Sequence, residues 1–362
     1  MGKSLFLPLL LLLLSPLAGW GQDEAFDNVG RTELDEEEEE KIQEGWNTEV
    51  SFGFDLSQLF QLNPKQGAGQ NRFGLGTAIT GSAIYKRNRI LWENALLWQF
   101  GLQRLGAGTI NIPEQNRQVK VPFQKTVDDL RLGSKIGYEL GEGSPWYLSA
   151  AGTFQSLIAA TYPGTSSYPG NFLTNFADTI VNSKFMSPAT ITLSAGIEYV
   201  PNENFSVFYA PLGAKWIVVS DDLVAAQGIH GNPVRGDRGP DGLFADFDNT
   251  FSQFGSLLIA RYKNSWLTDD RLAFKSTLTL YSNYLENPQN IDVDWINDLS
   301  YEIVKNLKLR LLLTLFYDDD VNVLTTDPDG PNGIEVDAEG RPVLGPRVSI
   351  TEQFLLSYSV SF

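Results

Sequence analysis

From about residue 45 onward, apolar and polar residues alternate along most of the chain, and the clearest stretch is the last. Val348, Ile350, Phe354, Leu356, Tyr358, Val360 and Phe362 share one face of an extended segment, while Ser349, Thr351, Gln353, Ser357, Ser359 and Ser361 share the other. A period of two with one continuous apolar face predicts a strand with lipid on one side and a polar interior on the other. The same ruler finds eleven further strands. In the first, Trp46, Thr48, Val50, Phe52, Phe54 and Leu56 alternate with Asn47, Glu49, Ser51, Gly53, Asp55 and Ser57. Phe73 to Tyr85, Ile90 to Leu102, Leu130 to Leu140 and Trp146 to about Ile158 follow. The remaining six are placed near 189–200, 205–219, 252–263, 271–285, 290–304 and 307–317.

Connection lengths turn this series into an architecture. Every second link is tight, at Lys86–Arg89, Gly141–Pro145, Pro201–Asn204, Ser265–Asp270 and Lys305–Asn306. The others run over about 58–72, 104–127, 159–188, 220–251 and 318–346, with one short exception at Glu286–Gln289. Short turns at one end, long loops at the other and an even strand number are the plan of an outer-membrane barrel with both termini periplasmic. The expected fold is therefore all-β, a transmembrane antiparallel up-and-down β-barrel of about 12 strands over 45–362. Trp46, Tyr85, Trp92, Tyr138, Trp146, Tyr199, Phe205, Trp266, Tyr301 and Phe362 fall near the turn end, as an interfacial aromatic belt requires. Asn94, Asn297 and Glu352 sit out of place in the lipid-facing phase. Tyr358, Val360 and Phe362 are similar to the C-terminal signal read by the barrel assembly machinery.

The N-terminus gives the same address. Lys3, an apolar run from Leu5 to Leu14 and small residues at Gly19 and Gly21 predict a signal peptide over 1–21, cleaved before Gln22. Its core is short for a membrane helix, and no later run approaches the roughly 20 apolar residues that a helical span needs. The chain holds no cysteine, so lipoprotein anchors, disulfides and thiolate metal sites are excluded.

Of the formal charge of −17, about half lies in one segment: Gln22–Glu44 carries eleven acids against Arg31 and Lys41, a net −9. This segment is expected to be disordered and periplasmic, with docking to a basic partner or to divalent cations as the alternative. The overall acidity argues against nucleic acid as a partner. The expected partners are outer-membrane lipid and lipopolysaccharide, the assembly machinery and an unidentified small solute.

Several short motifs mark a resemblance. Phe123-Gln124-Lys125-Thr126-Val127-Asp128-Asp129, Trp146-Tyr147, Met186-Ser187-Pro188, Ala210-Pro211-Leu212, Asp292-Val293-Asp294-Trp295 and Tyr317-Asp318-Asp319-Asp320-Val321 resemble an uncharacterised outer-membrane β-barrel family of Bacteroidota, catalogued as a domain of unknown function. The likeness covers most of the chain from about Trp46 and implies a location without an activity. One departure falls after the first strand. Leu62-Asn63-Pro64-Lys65-Gln66-Gly67-Ala68-Gly69 stands where a Trp and paired glycines would be expected.

Candidate chemistry lies in the lumen. The inward phase contains Asp55, Glu93, Asp129, Arg131, Lys135, Glu139, Glu198, Lys215, Arg261, Lys263, Lys275, Asp292, Asp294, Glu302, Lys308 and Arg310. Twelve strands fall between small barrels filled by their own side chains and wide porins. Two readings follow: a self-paired, plugged interior, or a charge-segregated channel for a small solute. Asp292 and Asp294 share one face and suit charge compensation better than acid–base chemistry. Asp318, Asp319 and Asp320 are weak candidates for a divalent ion, without calcium-loop spacing. His230, the only histidine, lies in a Gly/Pro-rich outer loop, so a hydrolase ranks third, after a channel and a surface-interaction barrel. No phosphate loop, transition-metal cluster or solenoid repeat is present in the sequence, and no cofactor is expected.

Overall fold

The computed structural model describes residues 44–59, 72–105, 109–112, 117–163, 172–176, 178–267, 270–305, 307–317, 323–324, 344–345 and 347–361. The predicted signal peptide, most of the acidic segment, the departing first loop, Asp318–Asp320 and Phe362 lie outside these residues.

In chain order the strands are β1 (Gly45–Leu59), β2 (Arg72–Arg87), β3 (Ile90–Leu105), β4 (Thr109–Ile112), β5 (Arg117–Lys120), β6 (Gln124–Glu139), β7 (Trp146–Ser156), β8 (Ala189–Asn202) and β9 (Phe205–Val218). A single helical turn, α1 (Asp222–Ala225), precedes β10 (Val234–Arg238) and β11 (Phe244–Phe247). The rest are β12 (Thr250–Trp266), β13 (Leu272–Asn283), β14 (Asp292–Val304), β15 (Leu307–Tyr317), β16 (Val323–Leu324), β17 (Leu344–Gly345) and β18 (Ser349–Ser361).

Twelve of these strands form one closed antiparallel barrel in the order β1-β2-β3-β6-β7-β8-β9-β12-β13-β14-β15-β18, each paired with its neighbours in the chain. Closure is made by β1 and β18, with Ser51, Phe52, Gly53 and Phe54 opposite Ser361, Val360, Ser359 and Tyr358. The hairpins β4-β5, β10-β11 and β16-β17 stand apart from the wall. The fold is thus a transmembrane up-and-down barrel, which pairs backbone groups between strands where lipid offers no partner.

Two details differ from the strand pattern. The strand expected from Leu130 starts at Gln124, because β3 continues to pair with it past a bulge, Gly101 opposite Val127 and Leu102 opposite Lys125. Three stretches expected as plain loop also fold into the small hairpins. The tight links match expectation, and Asn88 takes a left-handed conformation (φ 51°) in the two-residue link between β2 and β3, as Asn tolerates.

Outward positions are apolar and exposed, among them Trp46, Val50, Phe52, Leu132, Ile136, Leu148, Leu193, Ile197 and Leu299. Aromatics cluster at the turn end. Trp46 lies 5.2 Å from Tyr85 and 5.4 Å from Trp92, Trp146 lies 4.5 Å from Tyr199, and the Arg89 guanidinium sits 4.7 Å above the Tyr138 ring. The two misplaced asparagines are satisfied in the same way. Ser134 donates to Asn94 at 2.9 Å while accepting from the Trp92 indole at 2.9 Å, and Ser276 does the same for Asn297 (2.8 Å) and Trp295 (2.9 Å). Each lipid-facing amide therefore has a cross-strand serine as partner, and the Trp two residues earlier donates to that serine. Glu352 pairs with Leu313 and stays in the outward register, with no bulge between β15 and β18 to move it.

β9 changes phase at Ala210-Pro211-Leu212: the register shifts between Ala195/Leu212 and Ile197/Tyr209, so Phe208 and Ala210 face inward before it and Gly213, Lys215 and Ile217 after it. The bulge brings the Tyr209 carbonyl onto Gly196, where any side chain would overlap it. Gly196→Ala is expected to destabilise the barrel by roughly 1–3 kcal/mol or to block its closure. The heat-modifiable, compact band on cold SDS gels should weaken or vanish, whereas Gly143→Ala, in an exposed turn, should leave a much stronger band.

Candidate functional site: the charged inner wall

The inner face is built from the other half of each strand. Between β3 and β8 its centre is Lys135, whose ammonium lies 2.8 Å from Glu93 Oε2 and 2.8 Å from Glu198 Oε1, all three nearly buried. Ser149 donates to the second oxygen of Glu198 at 3.1 Å. Lys135 reaches over β7 to β8 because the inward residues of β7 and β8 at this level are small, Ser149 and Ala151 opposite Gly196 and Ser194. Towards the loop end, Arg131 pairs with Asp129, whose other oxygen accepts from Gln155 at 3.0 Å. Glu139, at the turn end, accepts from the Ser144 amide at 3.0 Å.

The opposite wall carries both signs. Arg261 and Lys263 on β12, Lys275 on β13 and Lys308 on β15 share the inward phase with Asp298 and Glu302 on β14. Lys263 stands directly opposite Lys275, a like-charged pair that disfavours pairing unless anions are near. Asp298 faces Lys275, and Glu302 faces Lys308. Arg310 and Asp55 fall at inward register positions of β15 and β1. Near the loop end, Asp294 is 3% exposed and Asp292 half-buried on β14.

Period-two reading missed one feature of this face. Ala151, Phe208, Ala210, Leu257, Ile259 and Tyr281 form a buried apolar patch on the inside of β7, β9, β12 and β13. Lys215, 4% exposed, stretches along it with its ammonium 5.6 Å from the centre of the Tyr281 ring. The signal in the sequence was Pro211, which marks the phase change that turns Phe208 inward. The inner face therefore carries paired charges of both signs on two sides and an apolar patch beside them.

At the loop end, residues 117–123, 157–163, 172–176, 178–188 and 219–249 interlock. Phe172 and Phe176 meet edge to face at 4.6 Å beside Val121, and Arg117 donates to the Phe176 carbonyl at 2.9 Å. Lys125 and Asp128 pair at 2.9 Å, and Asp128 accepts from the amides of Ile158 (3.1 Å) and Ala159 (2.7 Å), which ties this turn to the rim. Ser187 accepts from the Asp221 amide at 3.0 Å and shares a hydroxyl contact of 3.1 Å with Ser220. Asp221 also caps α1 through the Val224 amide and pairs with Lys184; the hydrogen bond from Lys184 holds its carboxyl below the usual range. Val219, Val224 and Ala225 form a small core with Val181 and Phe247.

His230 is 1% exposed within this layer, its Nε2 2.8 Å from the Asn182 carbonyl. Burial lowers its pKa from 6.5, more than the bond to Asn182 raises it. The imidazole thus packs inside the loop layer. Among the described residues no group of three His, Asp or Glu side chains converges on a point.

A family model described as a protein of unknown function (DUF3078) matches residues 56–162, from the end of β1 to just beyond β7. No protein of curated function matches the chain. Among solved structures, an outer membrane channel from Pseudomonas putida F1 is similar at 13% identity, covering 89% of this chain and 97% of that one, with a TM-score of 0.37. The translocator domain of the autotransporter NalP from Neisseria meningitidis is similar at 10% identity (93% and 92% covered, TM-score 0.37), and the P. putida toluene transporter TodX at 11% (88% and 80%, TM-score 0.30).

Two outcomes follow. Lys135→Met leaves Glu93 and Glu198 facing each other without their cation and should cost about 3–5 kcal/mol. Adding Glu93→Gln and Glu198→Gln should recover most of that loss, read as the urea midpoint of the refolded barrel. The His230 pKa is lowered in the folded layer, so the layer carries no penalty above about pH 6.5 and loses stability as pH falls below it. Limited proteolysis should cut 219–249 faster as pH drops from about 7 to about 5, and His230→Gln should flatten that dependence.

Proposed function

We propose that this chain is an outer-membrane barrel of a Gram-negative cell that passes a small charged solute through a narrow lumen. The observation that carries the reading is the inner face itself, which is lined by ionisable residues of both signs: Glu93 and Glu198 around Lys135 on one side, and Arg261, Lys263, Lys275 and Lys308 among Asp292, Asp294, Asp298 and Glu302 on the other. A lumen lined in this way presents charge to a charged solute along its length and can steer it. The apolar outer face, the aromatic belt and the signal-like N-terminus support the outer-membrane placement. Gly45 and Ser361 both lie at the turn end, which in such barrels faces the periplasm. The resemblance to a Bacteroidota family fits such a host. Lipid, lipopolysaccharide and the assembly machinery are the partners this placement implies, the last through Tyr358, Val360 and Phe362.

A second reading draws on the interlocked loops. Residues 117–123, 157–163, 172–176, 178–188 and 219–249 form a folded layer with its own small cores, and such a layer suits a surface-interaction barrel that binds an external partner.

Purified protein in a planar bilayer under a salt gradient separates the two. The channel reading expects steady conductance with a reversal potential that moves towards cation selectivity in Lys275→Glu/Lys308→Glu/Arg310→Glu. A well-folded barrel without conductance would favour the surface-interaction reading.

A further inference from the structure

We infer that the apolar patch of the inner wall and the polar row beside it form a binding site for a small carboxylate with an apolar body. The inference deepens the channel reading, on which it rests, by naming the class of solute that the lumen holds.

The polar part is a continuous line across neighbouring strands. Thr153 on β7 stands opposite Thr192 on β8, Thr192 opposite Lys215 on β9, and Lys215 opposite Gln253 on β12. All of these are buried, and so is Ser194, the next inward residue of β8 towards the turn end. Thr153 Oγ1, Ser194 Oγ and Gln253 Oε1 have no hydrogen-bond partner among the described residues. Buried hydroxyl and amide groups are ordinarily paired, so their concentration here marks a place where a bound molecule supplies the partners. The two hydroxyls donate to a carboxylate, and the Gln253 amide does so after turning its NH2 inward. Lys215 stands among them, and an ammonium has donors enough to hold a carboxylate oxygen while it keeps its place 5.6 Å from the centre of the Tyr281 ring.

The apolar part adjoins this line on the turn side. Ala210 faces Leu257, Leu257 faces Tyr281, and in the next row Phe208 faces Ile259. Gly213 and Gly255 leave the wall bare beneath the Tyr281 ring, whose Cε2 and Cζ lie 4.0 and 3.1 Å from where their Cβ atoms would stand. The ring therefore lies low against the wall and makes a floor with Ala151, Phe208, Leu257 and Ile259. The methylene stem of Lys215 runs along this floor, and an apolar solute body takes the place of the stem while the ammonium follows the carboxylate.

Charge sets the orientation. Asp292 and Asp294 on β14 stand opposite Tyr281 and Thr279, on the other side of the floor from Lys215. They repel a carboxylate from that edge, so the head points to β7, β8 and β9 and the body lies over β12 and β13. A bare inorganic anion would leave the floor uncovered, and a hydrocarbon would leave the Thr153 and Ser194 hydroxyls unanswered.

The test titrates hexanoate into the full-length refolded protein in detergent, followed by calorimetry, with acetate (the head alone) and hexanamide (the body with a neutral head) as references. Hexanoate is expected to bind about tenfold or more tightly than either, since each buried methylene and the charged head both contribute. Lys215→Met should bring hexanoate down to the level of hexanamide and leave hexanamide unchanged, and Lys215→Arg should rescue the difference. Thr153→Val combined with Ser194→Ala, which alters shape little, should weaken hexanoate several-fold. Equal binding of acetate and hexanoate overturns the site. So does a hexanoate affinity indifferent to Lys215→Met and to Thr153→Val/Ser194→Ala in barrels that keep the compact cold-SDS band. Selective hexanoate binding by a barrel that conducts no salt in the planar bilayer would uphold the site and remove the channel reading. Conductance without hexanoate binding would remove the site and leave the channel standing.

Discussion

Everything in this molecule depends on the pairing of backbone amides and carbonyls where no water can replace a lost partner. A strand edge left open in hydrocarbon costs several kcal/mol for each unsatisfied group, so the sheet must close on itself. The closing contact joins the first and last barrel strands, Ser51–Phe54 with Tyr358–Ser361, and brings together segments that the sequence separates by the whole barrel. Once closed, each wall strand has a fixed inner and outer face. The alternation in sequence then becomes a division between lipid and interior.

That division explains where charge can be placed. Long ionised side chains are tolerated on the inner face when they find partners, and the small residues of β7 and β8 give Lys135 the space to reach Glu198 from β6. The outer face accepts polarity only when it is satisfied locally, which the paired Trp–Ser–Asn arrangements at Trp92 and Trp295 achieve. Bulges adjust the scheme: the one at Pro211 turns Phe208 into the interior and forces Gly196 to be glycine.

The short motifs that resemble a known family acquire structural work. Lys125 and Asp128 anchor the 157–159 turn, Ser187 joins two loops, Ala210-Pro211-Leu212 makes the bulge, and Trp295 donates to the serine that holds Asn297. These motifs build the rim, the loop layer and the wall, and the inner charges lie mostly between them.

By itself, the sequence determined the strand number, the turn end and loop end, the outward and inward phases and the belt, because a period of two and alternating link lengths are local properties of the chain. It also placed His230 in an outer loop. Only the tertiary structure decided which inner charges meet, that Lys135 bridges two carboxylates, that Asp298 and Glu302 stand opposite Lys275 and Lys308 and that an apolar patch lies beside them. Those relations depend on register across neighbouring strands and on bulges, which a single strand's pattern does not encode. The loop layer was illegible for the same reason: Phe172 with Phe176, Lys184 with Asp221 and His230 with Asn182 are contacts whose partners the barrel rim, and not local periodicity, brings together.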